Sequence, residues 1–211
     1  MLNRKKSGVI AAIALLVLIA VAATLARLHD FLAMNAPVAA NVLVVEAWIW
    51  QAPAMREAAD EFMRGHYDRA IAVGAPVEEE SGDRSHSSAE LAAARLKELG
   101  VPAAAIVTLP LTGDTTHRTY RSALLVREWL RRSHERVTGL NVFTLGSHGR
   151  KSLILFQRAL GSGLPLGVIS GTDHTFDPKQ WWISPRGIYV IARKTAGYLY
   201  AVFWPLPHGA E

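Results

Sequence analysis

The chain of 211 residues contains no cysteine, which excludes both a disulfide framework and any thiolate metal site. No Gly-x-Gly-x-x-Gly follows the first strand-like run, so the dinucleotide fingerprint is missing. No His-Glu-x-x-His or similar spacing occurs, which argues against zinc, and no Gly-x-Ser-x-Gly supplies a nucleophile elbow. Neither a cofactor nor a metal is expected. Basic residues outnumber acidic ones by 23 to 18, a formal net charge of +5, with an isoelectric point near 9.7. That balance suits anionic partners, yet the cations are dispersed and no basic tract interleaves with aromatics, so nucleic acid is not the expected partner. There is no internal repeat. The length suits one domain with a substantial core plus an appendage.

What is present begins with an apolar run. After MLNRKKSG comes VIAAIALLVLIAVAATLA, spanning 9–26, about 27 Å as a helix and enough to cross a hydrocarbon core. Arg4, Lys5 and Lys6 precede it. The positive-inside rule then predicts a single-pass anchor in the inner (cytoplasmic) membrane, with a cytoplasmic N-terminus and everything after Arg27 on the periplasmic or extracytoplasmic side. A cleaved signal peptide is the alternative, because Val21-Ala22-Ala23 and Thr24-Leu25-Ala26 both tolerate cleavage. The run is long for a signal h-region, which favours the anchor. The predicted organisation is a stub and transmembrane segment over 1–30, a linker over 31–40, and a domain over 41–211.

Within that domain, strand and helix patterns alternate. NVLVV (41–45), RAIAV (69–73), AAIVTLP (104–110), LNVFTL (140–145) and LPLGVIS (164–170) read as strands. Helical spacing occupies 54–65, 88–100, 115–135, the segment SLILFQRALG, and a closing apolar helix over 184–204. Such alternation predicts right-handed crossovers and an α/β fold with a mostly parallel sheet of about five strands, covered on both faces. Ligands in such sheets bind beyond the carboxyl ends of the strands, where strand order reverses. The candidate loops are therefore 46–50, 74–86, 111–117, 146–151 and 170–174.

The order of elements, together with ELAAARLKELGVPAAAIV, GDTTHRTYRSALLV and SHGRKSLILF, resembles the SanA/ElyC/YdcF-like family, a bacterial domain of largely unknown function. The resemblance covers nearly the whole chain after the linker. It implies a Rossmann-like three-layer fold tethered to the inner membrane by one N-terminal helix, and a part in cell-envelope or lipid-carrier biology. The family's Asp-Thr pair falls on Asp114 and Thr115, its His after strand four on His148, and its following Arg on Lys151. His117 and Arg118 stand where the family has Glu and Asn, and Ser88 stands where it has Glu. These departures make the implied site more cationic.

The residues themselves supply a matching set of candidates. His148 follows the fourth strand between Ser147 and Gly149, where an imidazole can donate to, accept from or protonate a phosphate oxygen. Arg150 and Lys151 add charge at the start of the next helix. Asp114 and Thr115 are N-cap choices, and Arg118 and Arg121 lie in the first turns behind them. Glu46 ends the first strand, where a carboxylate can act as a base, bind a metal or merely pair with an arginine. The expected function is an envelope protein whose α/β domain binds a phosphorylated or anionic precursor such as a polyprenyl phosphate, with catalysis on it left open. If there is catalysis, His148 is the acid/base, and Glu46, Asp114, Thr115, Arg118, Ser147, Arg150 and Lys151 contact the ligand. A non-catalytic binding or scaffold module in envelope assembly is the alternative.

Overall fold

The computed structural model describes residues 2–77, 87–113 and 116–203, with the side chains of 2–9, 11 and 22 left aside. Five parallel strands form one sheet: β1 (Val42–Glu46), β2 (Arg69–Gly74), β3 (Ile106–Pro110), β4 (Leu140–Leu145) and β5 (Leu166–Gly171). Their order is β3-β2-β1-β4-β5. The chain steps outward from β1 through β2 to β3, then returns to the other side of β1 for β4, so strand order reverses between β1 and β4. That reversal opens a crevice at the carboxyl edge.

Helices cover both faces because β1 and β4 turn apolar side chains to each side of the sheet. Leu43, Val45 and Phe143 pack with Ala54, Met55, Ala58 and Phe62 of α3 (Ala52–Arg64) and Ala89, Ala92 and Leu96 of α4 (Ser88–Glu98). Val42, Val44 and Val142 face α5 (Arg118–Arg132) and α6 (Gly149–Leu160) through Tyr120, Ala123, Val126, Leu155 and Phe156. Helix α7 (Pro185–Phe203) lies on this second face and reaches the core through Ala201. Ser87 starts α4 with a reciprocal cap: its hydroxyl accepts from Glu90 N at 3.2 Å, and Glu90 Oε2 accepts from Ser87 N at 2.7 Å.

The chain enters through α1 (Leu2–Ala26) and α2 (Leu28–Leu32). The predicted membrane span requires correction. Among the described residues no helix is long and apolar enough to cross a membrane. The transmembrane part of the expected fold, and with it the single-pass inner-membrane topology, is not supported. After α2, the segment before β1 lies along the sheet. Ala36 exchanges two backbone hydrogen bonds with Val168 on β5, at 2.8 and 3.1 Å, and Leu32 packs with Trp181 and Ile191.

Asn141 on β4 fixes that entry segment. Its Oδ1 accepts from Val38 N at 2.9 Å, and its Nδ2 donates to Val38 O at 3.0 Å and to Tyr67 Oη at 2.9 Å. The side chain is 2% exposed, so an apolar replacement strands both peptide groups of Val38. Asn141→Leu is expected to lower unfolding stability by about 1–3 kcal/mol, measured by urea denaturation at constant m-value.

Candidate functional site

A cavity of about 930 Å³ occupies the β1/β4 crevice, within the size range of small-molecule sites. Its floor is Glu46, the last residue of β1, and Leu145, the last of β4. The turn after β4 supplies His148, α6 supplies Lys151, and the start of α5 supplies Arg118 and Thr119. Helix α7 closes the far side with Arg186, Val190, Arg193, Lys194, Gly197 and Ala201. That spacing of three and four residues is one face of a helix. Trp48 and Trp50 come from the loop after β1, and Asp173 from the loop after β5.

The turn Gly146–His148 is a tight 3-10 turn whose glycines serve the chain itself. Gly146 sits at φ +47°, and a Cβ at Gly149 would lie 2.1 Å from Ser170 Oγ and 2.8 Å from Met34 O. Gly149 thus lets α6 approach the segment entering the sheet. Ser147 is buried but does not line the cavity. Arg150 turns away: its Nε donates to Phe31 O at 2.6 Å and its guanidinium stacks 3.9 Å above the Phe31 ring. Asp114 and Thr115 lie outside the described residues. Glu46, Arg118, His148 and Lys151 are the candidates from the sequence that line one cavity.

His148 is 7% exposed and held from three sides. Lys194 Nζ lies 3.2 Å from its Nδ1, Thr119 Oγ1 lies 3.3 Å from its Nε2, and the Trp48 ring meets it edge to face at a centroid distance of 5.0 Å. Burial, then the charges of Lys194, Lys151, Arg193 and Arg118, holds its pKa well below the ordinary histidine value. The imidazole is neutral at physiological pH. In the tautomer in which Lys194 donates to Nδ1, the imidazole proton sits on Nε2.

Lys194 was not singled out by the sequence reading. Its Nζ stands 4.1 Å over the Trp48 ring. Burial is the main cause that lowers its pKa to about 7; Arg193 and Lys151 push the same way, while Glu46 and Asp173 oppose them. Lys151 is lowered in the same manner, by burial first and against the opposing charge of Glu46. Glu46 is 2% exposed and accepts from Ser152 Oγ at 2.6 Å. Burial raises the pKa of Asp173, but hydrogen bonds from Thr175 and Gln51 and the charge of Arg186 outweigh it, so the net shift is downward. The signal that would have found Lys194 is the pair Arg193-Lys194 inside an otherwise apolar closing helix, since buried charge marks chemistry more often than packing.

The expected anionic or phosphorylated partner requires correction. Arg150 points elsewhere, His148 is uncharged, and an amine with a pKa about 7 is about half deprotonated at neutral pH. The carboxylates of Glu46 and Asp173 share the same lining. The cations counted along the sequence therefore do not add up to a cradle for a phosphate or other fully charged anion. Among the described residues, no group of three or more His, Asp or Glu side chains is placed to hold a metal.

Lys194 contributes a pH-dependent penalty to folding. The unfolded chain keeps its proton up to about 10.5, whereas the folded amine loses it at about 7. The penalty is therefore full below pH 7 and fades between pH 7 and 10.5. Lys194→Met is expected to raise stability at pH 7 by on the order of a few kcal/mol. The gain should shrink steadily as urea titrations are repeated up to pH 10.

No family model matches the chain, and neither a curated protein nor a solved structure matches it. The resemblance to the SanA/ElyC/YdcF-like family is thus unsupported. The envelope-precursor function and the scaffold alternative, both tied to a membrane-anchored envelope protein, lose their basis with it.

Proposed function

We propose that the cavity is the active site of an enzyme acting on a small molecule through its carbonyl group. Lys194 supplies the electron pair, and His148 with its cationic neighbours takes up the charge that develops on oxygen. The observation that carries this reading is the placement of Lys194 Nζ, 3.2 Å from a neutral imidazole and 4.1 Å over the Trp48 ring, at the wall of a cavity. An ordinary lysine is protonated at neutral pH and offers no lone pair. This one does, because its surroundings disfavour the ammonium.

The other groups fit that chemistry in complementary ways. The Nε2–H of the neutral imidazole faces Thr119 Oγ1, which leaves the Thr119 hydroxyl proton to donate to a carbonyl oxygen. Lys151, partly buried in the lining, offers positive charge to that oxygen as negative charge builds on it, and Arg118 lines the same cavity from an exposed position. Glu46, held by Ser152, keeps the cluster from becoming excessively positive. Trp48 and Trp50 offer flat apolar surface to the remainder of the substrate. Ser147 and Arg150 shape the turn and its packing.

Proton exchange next to a carbonyl tests the reading without knowledge of the natural substrate. In D2O, the protein should accelerate loss of the α-proton signals of simple ketones and aldehydes such as dihydroxyacetone, followed by proton NMR. The rate should rise through pH 7 to a plateau as Lys194 deprotonates, and Lys194→Met should reduce it at least about 100-fold. Exchange no faster than in buffer across such a panel, or exchange indifferent to Lys194→Met, would refute the proposal.

A further inference from the structure

We infer that the electron pair of Lys194 goes to the carbonyl carbon itself, so that the site captures aldehydes and ketones covalently as an imine on Nζ. This rests on the carbonyl reading of the same cavity and adds the bond that forms. The geometry supplies what bonding to carbon needs, because attack by an amine obliges the nitrogen to shed protons. A relay for them is already in contact with it: His148 Nδ1 at 3.2 Å from Nζ, and Thr119 Oγ1 at 3.3 Å from His148 Nε2. A base that removes an α-proton uses the same contact to release it, and the trapped adduct tells the two apart.

The step balances without a redox partner. The Nζ lone pair forms a bond to the carbonyl carbon as the C=O π pair moves onto oxygen. One Nζ proton passes to His148 Nδ1, while the Nε2 side returns a proton through the Thr119 hydroxyl to that oxygen, giving a carbinolamine. The hydroxyl then leaves as water, taking the second Nζ proton, and a C=N bond remains. One water is released for each imine formed, and hydrolysis reverses the sequence.

Several elements set the charge on the attacking nitrogen. Arg193, its neighbour on α7, and Lys151 of α6 repel its proton, Glu46 of β1 and Asp173 of the loop after β5 attract it, and burial decides the outcome in favour of the free amine. His148 itself stays uncharged and adds no opposing positive charge. Exposed Lys97 and Lys179 are internal references that share none of these surroundings.

The test uses the intact wild-type protein with acetaldehyde as probe and sodium cyanoborohydride to trap any imine at pH 7, read by intact mass and peptide mapping. The expected result is a single reduced adduct on Lys194, formed at least about tenfold faster than on Lys97 or Lys179, with the advantage shrinking as the pH approaches 10.5. Labelling of Lys194 no faster than of those two would overturn the inference. If α-proton exchange persists and depends on Lys194 while no adduct is trapped, the imine is refuted and the carbonyl reading stands. Absence of both exchange and adduct refutes both.

Discussion

Burying basic nitrogen without enclosing it in carboxylates is the constraint on which the site depends. Lys194, Lys151 and His148 are brought together where water is scarce, and the nearest carboxylates, Glu46 and Asp173, offset only part of their mutual repulsion. Each group then resolves the conflict by giving up proton affinity. The result is a neutral imidazole beside an amine that is partly deprotonated at physiological pH. Neither property belongs to the residue types themselves, and either would disappear if the cavity were opened to solvent.

Topology creates that burial. Strand order turns back between β1 and β4, so Glu46 and the Gly146–His148 turn share one edge of the sheet. Helix α7 then crosses this edge with a face that reads Arg186, Val190, Arg193, Lys194, Gly197 and Ala201. Val190 and Ala201 are buried and hold the helix down, while the cations between them project into the crevice. The entry segment secures the opposite side, where Gly149 admits Met34 O and Ser170 to within contact of α6. A site built in this way belongs to the whole chain from Met34 to Ala201, rather than to any single motif.

Much of the sheet could be read from the residues. LNVFTL coincides with β4, and RAIAV stops one residue short of β2 (Arg69–Gly74), because apolar β-branched runs bounded by turns have few other uses. The ends were harder. AAIVTLP includes Ala103–Ala105 in part, which form a 3-10 turn before β3. The helix read from 115 begins at Arg118, since His117 adopts φ 49° and cannot continue it. Segment 28–32, read within the approach to the domain as anchor and linker, is the short helix α2. Trp181 is buried whereas Trp182 is 45% exposed, a split that adjacency conceals. The site was legible only where a strand end announces it, as at Glu46 and His148. Lys194 was not, because its chemistry arises from contacts 46 residues distant along the chain. Arg150 shows the opposite error: its place two residues after His148 suggested a shared ligand, but neighbouring residues at a helix start point in different directions.

The most direct measurement is the titration of Lys194 in the folded protein, followed through the 13Cε and 15Nζ chemical shifts of labelled lysine and assigned with Lys194→Met. A midpoint near 7 is the value the buried cluster requires. A midpoint at the ordinary value of 10.5 would mean that the amine is hydrated and protonated at neutral pH, and the reactive nitrogen at the centre of the proposed chemistry would not exist.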